Sequence, residues 1–593
     1  MIAKLQTVWA NMIRVSLSLT RRQKRTYFVS LLFMFLSSIL ELFTLGLFIP
    51  FIGIIVSPQL LLQSSLVSPF LQAVAPSDLI FAFGGIVVLL FIAKNIAAYL
   101  LYSHNNRYVY SIATDLSRRK VDEYYSFSFA DFQKSNTAEM LRDIAYVPVE
   151  FAHHIILGSM IVLSESMILV IFGAAIALFQ PGVVVMLVCT LLPFALLAWY
   201  LSVRILRRTK QTIQETSPVN LRKLSDALSG YQEATLYNKK QFFTDRYLLG
   251  QERLNIQLGK LNAANTIPLR LSEVFAIAGI MVILFFNYSL EGHFTASALY
   301  LLTLFIAFAY RAIPSINRIL NAFVHMHTYS FTIDLLPPVR VRDKIEKPEN
   351  NQERPSHLQF KRSIKLQDIT FSYPDRKTLL LDRLSMHIDK GETIGLIGRS
   401  GLGKSTLLRI VLQLLKQNSG IITVDDKPID HTNILLWQSL FAYVTNESAI
   451  LSDSVAANVA YGVPQASIDV DKVNSALRKV GLTGFTEQLS QGIMTPVGDQ
   501  GKQISAGQKQ RLLIARALYR NASIFIFDEA MSQLDARSEQ DVLDTISSLR
   551  RDGKTVIIVA HRPHTLMECS KVYSLTHGKL LLVRKAKQPP KGN

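Results

Sequence analysis

Two short stretches of this 593-residue sequence carry residue types at spacings that suit phosphoryl chemistry. The first is Gly398-Arg399-Ser400-Gly401-Leu402-Gly403-Lys404-Ser405-Thr406. Its glycines let backbone N–H groups curl around phosphates, and a helix starting at its end adds a positive pole. The Lys404 ammonium then reaches the β- and γ-phosphates, and the Ser405 hydroxyl suits Mg²⁺. The second stretch is the apolar run Ser523–Phe527 ending in Asp528-Glu529. Asp528 can hold Mg²⁺ through water, and Glu529 stands where a base activates an attacking water. Brought together, the two stretches would hydrolyse a nucleoside triphosphate.

A phosphate-binding loop of this kind needs a strand before it and a helix after it. The run Glu392–Ile397 reads as the strand and Leu407–Leu415 as the helix. Further strand-like runs at Phe441–Thr445 and Thr555–Ala560 alternate with helical ones, which predicts an α/β P-loop ATPase domain with a mostly parallel sheet over 358–583. A polar, proline-punctuated linker over 331–357 leads into it. The basic tail 584–593, with Pro589-Pro590, is expected to be disordered.

Residues 1–330 are of another kind. The whole chain is 49% apolar, with a mean hydropathy of +0.25, which excludes a mainly disordered chain and an ordinary soluble enzyme. The apolar share concentrates in six runs, about 27–56, 79–101, 155–179, 182–203, 267–290 and 294–318. Each is long enough to cross a hydrocarbon core as a helix, so an α-helical six-span membrane domain is predicted. The first is too long for a signal peptide and follows Arg21, Arg22, Lys24 and Arg25.

Loop charges orient these spans. Lys and Arg number six before the first span, six in 102–154 and eleven in 204–266, against none in 57–78, at Gln180-Pro181 or in Glu291–His293. That asymmetry puts both termini and both long loops in the cytoplasm. Much of the net charge of +19 therefore marks topology, and nucleic acid need not be invoked. The long loops alternate apolar and charged residues at helical spacing, as in Tyr108–Tyr124 and Leu221–Leu254, and read as span helices prolonged below the bilayer. Their turning points fall near Asn136–Glu139 and Gly230–Glu233. Cys189 and Cys569 are too few and too far apart for a disulfide framework or thiolate metal site.

Between the two phosphoryl stretches lies Ile504-Ser505-Ala506-Gly507-Gln508-Lys509-Gln510-Arg511, which resembles the LSGGQ signature of ATP-binding cassette (ABC) transporters. Other segments keep that family's order. Tyr373 matches the aromatic that stacks on adenine, Ser532-Gln533-Leu534-Asp535 the D-loop, and His561 the switch histidine. The resemblance covers the whole cassette, and six spans followed by a cassette is the layout of an exporter-type half-transporter. It implies ATP and Mg²⁺, with Glu529 and His561 catalytic and Ser405, Asp528 and Asn446 at the metal. Nucleotide contacts would come from Tyr373, the loop 398–406, Asn446, Ser505, Ala506, Gly507, Gln508 and Asp535. Two positions depart from the pattern: Asn446 replaces the Q-loop glutamine, one methylene shorter, and Ala506 replaces the first signature glycine.

In this family each ATP lies between the P-loop of one cassette and the signature of another, so the resemblance implies a second half-transporter. Every cassette motif is present, which favours an identical one. The expected location is a bacterial inner membrane. The membrane half, at Glu41–Gly46 and Leu228–Glu233, is more weakly similar to lipid-linked oligosaccharide flippases, pointing to an amphipathic or lipid-linked cargo such as a pyrophosphate-bearing oligosaccharide. Multidrug, lipid and peptide exporters stay open, as does an ATP-gated channel or regulator. Charges inside spans are costly and point to a cavity or a partner. Lys94, Arg270 and Arg311, with Glu41 and Glu165, are the candidate cavity residues. The alternatives are snorkelling to the cytoplasmic interface and simple pairing, as of Arg270 with Glu273 three residues on.

Overall fold

The computed structural model describes residue 15 and residues 18–46, 76–179, 181–291, 296–336, 358–374, 376, 378–399, 401–498, 501–531, 534–560, 564–567 and 569–585. The chain divides into two compact units, Met1–Phe127 with Asp131–Glu349, and Ser128–Ala130 with Asn350–Asn593.

The first unit is helical. Its principal helices are α1 (Arg21–Gly46), α2 (Pro76–Tyr125), α3 (Thr137–Ala145), α4 (Gly158–Phe179), α5 (Pro181–Ser229), α6 (Lys240–Ala264), α7 (Ile267–Glu291) and α8 (Ala296–Thr328). Helix α2 has 50 residues and α5 has 49. At about 1.5 Å per residue each is roughly 75 Å long, more than twice a hydrocarbon core of about 30 Å. Both therefore run on past the predicted spans into the basic stretches, as the helical spacing there implied. The Asn136 side chain accepts from the Ala138 N–H at 2.9 Å and starts α3, while α5 stops just before Gly230.

Three helical stretches among the described residues, Gly84–Tyr125, Thr137–Ala174 and Lys240–Phe285, are long and apolar enough to cross a membrane. The first predicted span begins early, at Arg21, and the part beyond Gly46 lies outside the described residues. Helix α4 is preceded by a π-helical turn over Phe151–Leu157. Helices α7 and α8 approach closely at Gly279, where a Cβ would run into the ring of the fully buried Phe305. Phe194, Ile283, Ala309 and Ala312 complete that core.

Two predicted boundaries move. The linker does not start at 331, because Thr332–Leu335 is a helical turn whose Ile333, with Leu336, is buried in one cluster with Val109 and Phe151. Apolar side chains hold that stretch to the first unit; the polar remainder, 337–357, lies outside the described residues. At the other end Arg584 and Lys585 are not tail but strand, paired with Val572 and Lys571.

The second unit holds two sheets. One is antiparallel, of order β2-β1-β4-β5, with β1 (Ser363–Phe371), β2 (Leu381–Asp389), β4 (Ser419–Val424) and β5 (Lys427–Pro428). The other runs β10-β9-β3-β8-β7-β6, with β3 (Thr393–Ile397), β6 (Phe441–Thr445), β7 (Ile524–Asp528), β8 (Thr555–Val559), β9 (Lys571–Thr576) and β10 (Lys579–Lys585). All its pairings are parallel except β10 with β9. The antiparallel sheet was not foreseen. Its nine-residue strand β2 alternates in burial, whereas β7 and β8 are buried at every residue and read as continuous apolar runs.

Helix α9 (Lys404–Val411) packs Leu407, Leu408, Ile410 and Val411 with Trp437 into a core shared by both sheets. The opposite face of the parallel sheet carries α10 (Ala506–Arg520) and α11 (Ala536–Arg551). Within this unit the Arg409 guanidinium lies 5.1 Å from the centre of the Phe129 ring.

Candidate active site

The parallel register decides what meets what. Leu396 pairs with Val559, and Thr445 and Val559 both pair with Asp528, so β3, β8, β7 and β6 all end along one edge. In an open parallel sheet that carboxyl edge is where ligands bind. It brings the loop after β3, the Asp528-Glu529 pair after β7 and Asn446 after β6 to one place.

The loop turns through left-handed backbone at Gly401 (φ +81°) and Gly403 (φ +100°), where a side chain would be strained. A Cβ on Gly403 would also press to 3.1 Å on Leu380. Gly403 caps α9, so free helical N–H groups face the loop interior. Lys404 is buried, and its ammonium donates to the Gly398 carbonyl at 2.7 Å and the Arg399 carbonyl at 3.2 Å. The loop's own carbonyls thus hold its lysine. Leu402 packs on the core, Arg399 is exposed, and Ser400 lies outside the described residues. The buried Thr406 meets the Tyr373 hydroxyl at 3.1 Å, so the ring expected to stack on adenine is tied to the loop helix.

Asp528 is the most informative side chain. It is 5% exposed; its Oδ2 accepts from the Tyr443 hydroxyl at 2.9 Å, and Oδ1 is buried with no hydrogen-bond partner. Burial pushes its carboxyl upward, while the Tyr443 hydrogen bond and the nearby Ser405 hydroxyl oppose that shift. The same burial, with Asp528 beside it, raises the Tyr443 phenol. An orphaned carboxylate oxygen next to a serine hydroxyl suits a hard divalent cation, so the residues fit Mg²⁺. Glu529 follows at φ +53°, a conformation that a non-glycine residue holds at a cost, with its N–H on the Val559 carbonyl at 3.1 Å.

Asn446 is tied to the signature helix. Its Oδ1 accepts from Gln510 Nε2 at 2.7 Å, within the same chain. Ser505 caps α10 in a reciprocal box: its hydroxyl accepts from the Gln508 N–H at 3.2 Å, and its own N–H donates to Gln508 Oε1 at 2.9 Å. The Gln508 side chain is thus spent on the helix cap. Ser505 and Ala506 are exposed and Gly507 half-buried, which presents the helix N-terminus outward. Asp535 caps α11 through Ser538, whose backbone and hydroxyl hydrogen bonds lower its carboxyl. His561, like Ser532 and Gln533 of the D-loop, lies outside the described residues.

The five candidate cavity residues do not form one group. Glu165 and Arg311 are together: Glu165 takes Arg318 Nε at 2.7 Å, Ser315 Oγ at 2.7 Å and Arg311 Nη1 at 3.8 Å. Arg311 Nη1 also reaches Ser315 at 3.1 Å. Arg270 is apart, with its side chain 73% exposed and Glu273 at 3.5 Å, the simple pair that their spacing allowed. Lys94 lies over the Phe91 ring, 5.3 Å from its centre. Glu41 is on α1, and its side chain lies outside the described set. Tyr443 and Gln510 were not singled out as functional; Tyr443 precedes Asp528 by 85 residues, and only strand register joins them.

Residues 381–532 match the family described as ABC transporter. The fold agrees: a solved structure described as a bacterial Atm1-family ABC exporter with ATP bound superposes with a TM-score of 0.70, at 18% identity, over 94% of each chain. The chain thus carries an ABC transporter domain in the fold of an ABC exporter, the class in which ATP hydrolysis drives transport. Among its relatives is an ATP-dependent lipid A-core flippase of Ralstonia nicotianae, 26% identical over 84% of this chain and 82% of the relative. A protein of the same description from Coxiella burnetii is also 26% identical, over 84% and 82%. ABC transporter B family member 29 of Arabidopsis thaliana, chloroplastic, is 37% identical over 38% of this chain and 36% of its own length.

Proposed function

We propose that the chain is one half of a homodimeric flippase that hydrolyses ATP to move an amphipathic lipid with an acidic head group across a bacterial inner membrane, through six spans and with both termini cytoplasmic. The observation that carries the ATPase part is the pairing of the orphaned Asp528 Oδ1 with the strained Glu529 at the edge where the P-loop opens. When ATP enters, the Lys404 ammonium exchanges the Gly398 and Arg399 carbonyls for β- and γ-phosphate oxygens, and the amides at the start of α9 face the phosphates. Ser405 and Asp528 would hold Mg²⁺, which supplies charge neutralisation on those oxygens. Tyr373 lies beside the loop helix for the adenine, and Glu529 takes the proton of the attacking water.

The second copy is needed because the signature helix turns its N-terminus outward. Ser505 and the Gly507 backbone of one chain would complete the γ-phosphate cradle of the other, with Asp535 and His561 near that seam. ATP binds more tightly to the closed pair, and this difference in affinity is what moves the membrane helices. The intact Glu529 favours a turning-over pump over a channel or regulator.

Two observations support the cargo class. The relatives matched over most of their length are named lipid A-core flippases. In the membrane unit two guanidiniums, Arg311 and Arg318, meet at the carboxylate of Glu165, and guanidiniums are the side chains best shaped for an acidic head group. The test is ATPase activity in lipid nanodiscs against a panel of a phosphorylated glycolipid, a polyprenyl-pyrophosphate sugar and hydrophobic cations. Stimulation by either acidic lipid supports the reading; stimulation by the cations alone makes the protein a drug exporter.

A further inference from the structure

The glutamine expected at position 446 would reach for the metal, yet this chain has asparagine there, and its Oδ1 accepts from Gln510 Nε2 at 2.7 Å. Asn446 directly follows β6, whose last residue, Thr445, pairs with Asp528. Gln510 lies on the first turns of α10, the helix that begins at Ser505, and is 3% exposed, with its Oε1 buried and without a hydrogen-bond partner. A buried amide left half satisfied is costly, so the bond it does make, at 2.7 Å, is worth more than a surface contact.

The bond is not isolated. Two turns further along α10, Arg516 donates to the Ala449 carbonyl at 2.9 Å and the Asn458 carbonyl at 2.8 Å. Its Nη2 also reaches Asn458 Oδ1 at 3.1 Å, and the Tyr461 ring lies 4.4 Å away. The stretch 446–458 is therefore fastened to the signature helix at both ends. Gln510 is the fastening nearest the phosphate edge.

We infer that Gln510 is a positioning residue for the ATPase reaction: it clasps Asn446, so that Asn446 joins the Asp528 edge of the sheet to the signature helix and does not serve as a metal ligand. A chain's own nucleotide site is then mechanically linked to the signature that it lends to the other copy. The inference rests on the ATPase reading above. The shorter side chain explains itself here, because one methylene more at 446 would overrun the 2.7 Å contact and push the amide off Gln510.

The test uses the full chain in nanodiscs with Asn446→Ala, Gln510→Ala, the double alanine variant, Asn446→Gln, and the arm-length swap N446Q/Q510N. Each alanine variant should lower maximal ATPase by about 5- to 30-fold, the range of a lost buried hydrogen bond. The double variant should be no worse than either single one, and half-saturation by Mg²⁺ should stay unchanged. In metal-free, nucleotide-free protein, amide hydrogen exchange over 446–458 should quicken in Gln510→Ala. Asn446→Gln should lose activity and the swap regain it, since the methylene count between the two backbones is restored.

A severalfold rise in the Mg²⁺ requirement for Asn446→Ala but not Gln510→Ala, multiplicative losses, or unchanged exchange would each overturn the clasp. If an alanine variant fails to fold, the swap pair, which keeps both amides, decides, and no recovery counts against the proposal. Wild-type protein and Glu529→Gln, run alongside, separate the two readings: no ATP turnover by the wild type removes the ATPase assignment itself, whereas wild-type turnover that Glu529→Gln lowers about 100-fold, with an additive cycle, removes only the clasp.

Discussion

The two units of this chain handle buried charge in opposite ways. In the cassette, Asp528 keeps one carboxylate oxygen without a partner, and burial raises its proton affinity. In the membrane unit, Glu165 is surrounded by two guanidiniums and a hydroxyl, joining α4 to α8. The first site is arranged for something that arrives and is stable only at a cost until it does. The second is self-contained and acts first as a tie between helices. Cargo that touches Arg311 has to compete with Glu165 for it.

The sharpest way to break this contrast is to remove one carboxylate from each unit. Glu529→Gln should lower ATP turnover by about 100-fold or more while ATP still binds, because proton abstraction typically contributes that much. Phosphate release and nucleotide binding measure the two halves of that statement. Glu165→Gln should leave ATP binding by the cassette intact and instead cost about 3–5 kcal/mol of stability, at the lower end because the Arg318 side chain is half exposed. Thermal unfolding in nanodiscs reads it, and Glu165→Gln with Arg311→Gln should recover part of the loss.

Tyr443→Phe probes the ligand-seeking side more gently. It removes one hydrogen bond to the Asp528 carboxylate, so the Mg²⁺ concentration for half activity should rise about tenfold. That bond favours the charged carboxylate, so its loss raises the Asp528 carboxyl further. The acid limb of the activity profile should therefore move to higher pH, and activity should disappear sooner as pH falls. A limb that stays put would mean that Tyr443 does not act through Asp528. Smallest of all, Arg270→Ala removes only an exposed pair and should change stability by less than about 0.5 kcal/mol.

The contrast also accounts for what was legible in the sequence. The cassette site is built by backbone turns over consecutive residues, so Gly398 to Thr406 and Asp528-Glu529 could be read in place, along with the strands that carry them. Tyr443 and Gln510 could not, because they meet Asp528 and Asn446 only through strand register and helix packing, 85 and 64 residues away. In the membrane unit, composition and helical spacing pointed to long helices, and α2 and α5 have 50 and 49 residues. They could not tell that Arg311 and Glu165 meet while Arg270 faces outward, since that depends on how α4 and α8 are rotated against each other. The linker boundary failed for a related reason: the short, mostly apolar run Phe331–Leu336 precedes the polar stretch, and the burial of its Ile333 and Leu336 in one cluster with Val109 and Phe151 is a tertiary effect.

The most direct test of the account is translocation of a fluorescent phosphorylated glycolipid in proteoliposomes, with wild-type protein and Glu529→Gln measured side by side. The wild type should translocate the lipid in an ATP-dependent way, and Glu529→Gln should show none above background. Equal translocation by the two would contradict the account.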